Sequence, residues 1–115
     1  MRYDSHGTAR VTTTEAHRLL RDAGAVLIDV RETDEFRAGH VPGARHVPLS
    51  RIVTADLPDT GPLVLICRSG TRSQRAAALL AARGVPAVDV RGGMRDWAAQ
   101  GLPVEGVHGS AGAVI

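Results

Sequence analysis

The segment Leu63-Val64-Leu65-Ile66 is apolar at every position and runs straight into Cys67-Arg68-Ser69-Gly70-Thr71-Arg72. A strand-length run without polar alternation is stable only where both of its faces are covered. Ala25-Val26-Leu27-Ile28-Asp29-Val30 and Ala87-Val88-Asp89-Val90 read the same way. Helical patterns separate these runs. Thr12 followed by Glu15 is a capping box, and Ala16, Leu19, Leu20 and Ala23 then recur at helical spacing up to Gly24. A second helix is expected from about Ser73 to Gly84 and a last one around Met94, Trp97 and Ala98. Strands alternating with helices imply an α/β fold of three layers, α/β/α, around a mainly parallel sheet.

Shorter elements fill the intervals: a helix over Thr33 to Ala38, a strand over Ala44 to Val47 and a helix over Pro48 to Asp56. Residues 1–9 are polar and residues 105–115 are small and aperiodic, so both are expected to be flexible ends of one domain spanning residues 10–104. The aromatic share is 3%, so the core must come from Val, Ile, Leu and close-packed Ala.

Composition narrows function by exclusion. All 14 basic residues are Arg and none is Lys, which removes lysine-based covalent chemistry. They are dispersed over a chain of net charge +2, without the clustered basic run of a nucleic-acid binder. One cysteine cannot build an intrachain disulfide framework, and no apolar run approaches membrane-spanning length. A soluble cytoplasmic protein is the expectation, with neither nucleic acid nor membrane as partner.

Cys67 stands where the most apolar strand ends, and open α/β sheets bind ligands beyond the carboxyl ends of their strands. A lone strand cysteine is ordinarily a small buried hydrophobe. The residues after Cys67 argue otherwise. Gly70 allows a tight curl, the following helix offers its amino end, and Arg68 and Arg72 add positive charge. Backbone N–H groups converging on one point beside a helix dipole stabilise an anion, here the Cys67 thiolate. A mostly ionised, partly exposed nucleophile is therefore expected.

Taken in order, Leu27-Ile28-Asp29-Val30-Arg31, Glu35-Phe36, Gly39-His40-Val41-Pro42-Gly43-Ala44, the Cys67 to Ser73 loop, Gly92-Gly93 before Trp97, and Gly101-Leu102-Pro103-Val104 resemble the single-domain rhodanese-like (thiosulfate sulfurtransferase) family. The resemblance implies a five-stranded parallel sheet between helices and a sulfurtransferase without cofactor or metal. It implies that Cys67 takes a sulfane sulfur from a donor such as thiosulfate, becomes a persulfide and passes the sulfur to a thiol or cyanide. Substrate-binding roles then fall to Arg68, Ser69, Gly70, Thr71 and Arg72, the backbone holding the persulfide and the guanidiniums drawing the dianionic donor.

Other residues are given lesser roles. Asp29 is a supporting residue that could orient Arg72 or the loop, Arg31 and Glu35 could pair locally, and Arg72 could instead brace the loop against a carboxylate. His40 and His46 are read as architectural, since a dipole-stabilised thiolate needs no base. Two alternatives stand beside the enzyme: a persulfide carrier loaded by a sulfur-relay partner, and a phosphatase or arsenate reductase of the related fold. The resemblance gives those phosphatases a longer loop, whereas four residues separate Cys67 from Arg72.

Overall fold

The computed structural model describes residues 2, 3 and 8–115. In chain order its elements are β1 (Arg2–Tyr3), β2 (Ala9–Val11), α1 (Thr13–Asp22), β3 (Val26–Asp29), α2 (Thr33–Ala38), β4 (Arg45–His46), β5 (Leu63–Ile66), α3 (Thr71–Ala82), β6 (Val88–Val90) and α4 (Gly93–Ala99), with short 3-10 turns at Leu49–Arg51 and Val107–Gly109. The strands lie side by side as β1-β2-β6-β5-β3-β4. Those from β2 to β4 across the sheet are all parallel, the expected five, and β1 adds antiparallel to β2 at the edge.

Burial explains the missing alternation. Leu27, Val64 and Ile66 face one side of the sheet, where they pack with Ala16, Met94 and Trp97. Ile28, Leu65 and Cys67 face the other, against Ala76, Ala77 and Leu80 of α3. Adjacent residues of one strand thus enter different apolar layers, and both must be hydrophobic. The alanines of α3 let its backbone approach the sheet closely. At the start of α1 the Thr12 hydroxyl accepts from the Glu15 amide at 3.1 Å and the Glu15 carboxylate accepts from the Thr12 amide at 2.9 Å, the reciprocal cap read from the sequence. No helix among the described residues is long and apolar enough to cross a membrane.

Both ends depart from expectation. Ala9 already belongs to β2, and Arg2 and Tyr3 register with Arg10 and Ala9, so the boundary at residue 10 is too late; Met1 and residues 4–7 lie outside the described residues. Residues 105–115, expected as a flexible tail, instead lie on the domain. Glu105 and His40 exchange backbone hydrogen bonds of 2.9 and 2.8 Å, Ala113 donates to the Ala38 carbonyl at 2.9 Å, and Val114 packs on the core. A Cβ on Gly39 would come within 2.4 Å of the Ala113 carbonyl oxygen, so glycine is what lets the two backbones touch.

Candidate active site

After β3 the chain leaves through α2 toward β4 on one side, whereas after β5 it leaves through α3 toward β6 on the other. The crevice beyond the carboxyl ends of these neighbouring strands is the topological switch point, the place where open α/β sheets bind ligands. Cys67 follows β5 directly into it.

The loop closes on the sulfur. Gly70, at φ +103°, caps α3 in a left-handed conformation, and its N–H donates to Cys67 Sγ at 3.1 Å. A side chain there would be strained and would meet Arg10 Nη2 at 2.9 Å. From behind, α4 is pressed against the loop: Met94 donates to the Cys67 carbonyl at 2.8 Å and Arg95 to that of Arg68 at 3.0 Å. Gly93 makes this possible, because its Cβ would sit 2.3 Å from the Cys67 oxygen. The Gly92-Gly93 pair, read as a turn, is thus also the seat of the Cys67 loop. With this much backbone around it, Cys67 is only 1% exposed, which corrects the expectation of partial exposure.

A polar network under the sulfur was not read from the sequence. The Ser73 hydroxyl lies 3.4 Å from Cys67 Sγ and donates to Asp89 Oδ2 at 2.8 Å. Asp89, fully buried in β6, also accepts from Arg10 Nε and Nη2 at 3.0 and 3.1 Å, and Arg10 Nη2 donates to the Gly70 carbonyl at 2.9 Å. Arg10, Asp89 and Ser73 therefore tie β2 and β6 to the Gly70 turn and to the first turn of α3. The signal was present: an Asp inside the buried run Ala87-Val88-Asp89-Val90 must have a partner.

The charged residues pair differently from expectation. Arg72 forms two parallel hydrogen bonds with Glu35 of α2, Nη1 to Oε1 at 2.7 Å and Nη2 to Oε2 at 2.8 Å, so it braces the loop and its charge is compensated. Those bonds hold the Glu35 carboxyl below its usual range and, in turn, raise the Arg72 guanidinium above its own. Glu35 therefore does not pair with Arg31. Asp29 does, through 3.0 and 2.7 Å bonds between fully buried groups, and Arg31 continues to the Gly39 carbonyl at 2.7 Å. Asp29 thus supports the carboxyl end of β3 through Arg31 rather than orienting Arg72. Asp29 and Arg31 stand two residues apart at the end of one strand, which places them in reach of each other.

Arg68 is partly exposed, and its Nε donates to the Ile115 carbonyl at 2.9 Å, so the C-terminal segment reaches the loop. Ser69 and Thr71 are exposed at its rim. His40 and His46 stack on either face of Phe36, with ring centroids 4.0 and 4.7 Å away, and each uses a ring nitrogen on a backbone carbonyl, of Phe36 and Arg31 respectively. Both hold α2 in place, the architectural part expected of them.

The sequence matches the Rhodanese-like domain family over residues 12–100. The chain belongs to the rhodanese-like family. It is 36% identical over 107 residues to a protein of Pseudomonas putida named thiosulfate sulfurtransferase GlpE, covering 89% of this chain and 94% of that one. A Bacillus subtilis protein named putative sulfur carrier protein YrkF is 37% identical over 79 residues, 66% of this chain but 43% of its own length. The crystal structure of a rhodanese-related protein from Thermoplasma volcanium superposes with a TM-score of 0.77 at 26% identity, covering 84% of this chain and 96% of that one. For a rhodanese-like chain with such relatives, sulfurtransferase activity is the supported function.

Proposed function

We propose that this rhodanese-like chain moves a sulfane sulfur through a persulfide on Cys67, from a donor such as thiosulfate to a thiol or cyanide. The observation that carries the reading is the Gly70 N–H directed at Cys67 Sγ from the head of the 12-residue helix α3. A group so placed stabilises negative charge on sulfur, whether on the thiolate or, one atom further out, on the persulfide. In the first step the Cys67 sulfur attacks the outer sulfur of thiosulfate, a sulfur–sulfur bond forms, and sulfite leaves with the electrons of the bond that breaks. In the second, the acceptor attacks the outer sulfur and Cys67 is released, a ping-pong sequence of covalent catalysis.

The loop roles follow. The backbone of Arg68 to Thr71, with Gly70 at its centre, holds the anion, while Ser69 and Thr71 line the rim met by the donor. Arg72 is paired with Glu35, which leaves Arg68 as the loop cation for a dianion. An unpaired cysteine nucleophile suits a reducing compartment such as the cytoplasm. The carrier reading, in which a sulfur-relay protein loads Cys67, uses the same chemistry and draws support from the putative sulfur carrier among the relatives. The phosphatase reading draws none from a loop wrapped this closely around sulfur.

Intact mass after incubation with thiosulfate tests the proposal. The expected result is a gain of one sulfur atom that a reductant removes and that Cys67→Ser never shows. An adduct that persists in the variant, or none from any sulfane donor or cysteine-desulfurase partner, overturns it. Loading by the desulfurase alone moves the reading to the carrier. Cys67-dependent turnover of p-nitrophenyl phosphate would favour the phosphatase instead.

A further inference from the structure

Gly70 brings a weakness along with its use. Glycine enters the left-handed turn at φ +103° without strain, but it leaves that turn as readily, since no side chain limits the alternatives. The N–H that it directs at Cys67 Sγ keeps its aim only if the turn is held from the other side as well. Arg10 of β2 holds it, sixty positions earlier in the chain: Arg10 Nη2 donates to the Gly70 carbonyl at 2.9 Å.

The hold is built outward from the sheet. Leu65, Asp89 and Arg10 are register partners on the neighbouring strands β5, β6 and β2, so their side chains stand in one row. Leu65 packs against α3, which puts the row on the face where Cys67 also packs. Asp89 is the fixed point. It is fully buried, its Oδ1 accepts from Arg10 Nε at 3.0 Å, and its Oδ2 accepts from Arg10 Nη2 at 3.1 Å and from the Ser73 hydroxyl at 2.8 Å. Two bonds from a planar guanidinium to one carboxylate fix the orientation of the fork, and they leave Nη2 aimed past Asp89 at the turn. The fit is close, since a Cβ on Gly70 would meet Arg10 Nη2 at 2.9 Å and the Gly92 nitrogen at 3.1 Å.

We infer that Arg10 is a positioning residue for the chemistry at Cys67: braced on Asp89, it locks the Gly70 turn and so fixes the direction of the N–H that Gly70 presents to the sulfur. Its effect on rate rests on the sulfur-transfer reading above. Because it acts through the turn and not on the donor, it governs how fast bound donor reacts rather than how tightly donor is held, the reverse of the part given to Arg68.

Arg10→Lys tests this, since an ammonium keeps the charge beside Asp89 but lacks the fork that serves carboxylate and carbonyl together. Hydrogen exchange followed by NMR needs no sulfur donor. The Gly70 amide is expected to lose about tenfold or more of its protection while the amides of Val64 and Leu65 in β5 keep theirs. Single-turnover loading with thiosulfate, followed by intact mass, is expected to slow about tenfold at saturating donor, with the half-saturating concentration unchanged within about twofold. In Arg10→Ala, added guanidinium ion is expected to restore part of that rate, because the Arg10 side chain is 19% exposed and its place is reached from solvent. Unchanged Gly70 protection, an unchanged loading rate, a raised half-saturating concentration at unchanged rate, or no rescue in a folded Arg10→Ala overturns the inference. So does protection lost equally at Gly70 and along β5, which makes Arg10 a contributor to the fold alone. If Arg10→Ala does not fold, Arg10→Lys decides. Protection lost at Gly70 in a protein whose wild type takes sulfur from no donor keeps Arg10 as the anchor of the turn and removes the sulfur-transfer reading.

Discussion

Arg72 of α3 and Glu35 of α2 meet in a bidentate ion pair, at 2.7 and 2.8 Å, that spans the crevice between the ends of β5 and β3. The pair joins the helix that follows the Cys67 loop to the helix of the neighbouring connection. The loop is thereby held from the front, as it is held from behind by the amides of Met94 and Arg95.

Substituting Arg72→Lys keeps the charge and removes the fork, and a lysine cannot reproduce two parallel bonds to one carboxylate. Sulfur loading of Cys67, followed by mass against time, is expected to slow about tenfold through loosened loop geometry. The pair itself is partly exposed, so a double-mutant cycle with Glu35→Gln in urea should return only about 1 kcal/mol of coupling.

The same pair carries a pH signature. Arg72 holds the folded-state Glu35 carboxyl below its ordinary value of 4.5. The stability it contributes is therefore complete above that value and is lost as pH falls through the lower folded-state value. Urea unfolding curves between about pH 3 and 6 should show the wild type losing more stability on acidification than Glu35→Gln, and equal slopes would exclude this linkage.

Asp29 and Arg31 are both fully buried, so removing one leaves an uncompensated interior charge. Asp29→Ala is expected to cost about 3–5 kcal/mol by denaturant unfolding. Replacing both with apolar residues of similar volume should recover most of that loss.

Gly93→Ala places a Cβ 2.3 Å from the Cys67 carbonyl oxygen, at φ +55°. A cost of at least about 2 kcal/mol in unfolding free energy is expected, together with slower sulfur loading, because α4 must back away from the loop.

The C-terminal segment offers a local test. At Gly39 the backbone is extended, so alanine meets no strain of its own, yet its Cβ would collide with the Ala113 backbone. Gly39→Ala should release the contact, seen as about tenfold or greater loss of hydrogen-exchange protection at the Ala113 amide with the sheet amides unchanged. Unaltered protection would mean that the segment is not held there.

By itself the sequence determined the layers of this protein and the place of its cysteine. Runs such as Leu63 to Ile66 have no wet face, the Thr12–Glu15 cap and the alanines of α3 mark helices laid on a sheet, and a glycine three residues after Cys67 marks the curl around sulfur. These are local signals, written in periodicity and in the conformations only certain residues adopt. Which charge meets which is not local. Glu35 could have turned to Arg31 and Asp29 to Arg72, and the order of strands in space chose Arg72 for the first and Arg31 for the second. The segment after Val104 looked loose because its residues are small, whereas the missing side chain of Gly39 is what lets the Ala113 backbone lie against the domain. Ser73 and Asp89, sixteen positions apart, become neighbours only because β6 lies beside β5. Helices and strands follow from neighbours along the chain, but a hydrogen-bond network under a buried sulfur follows from neighbours across the sheet, and only the tertiary structure decides those.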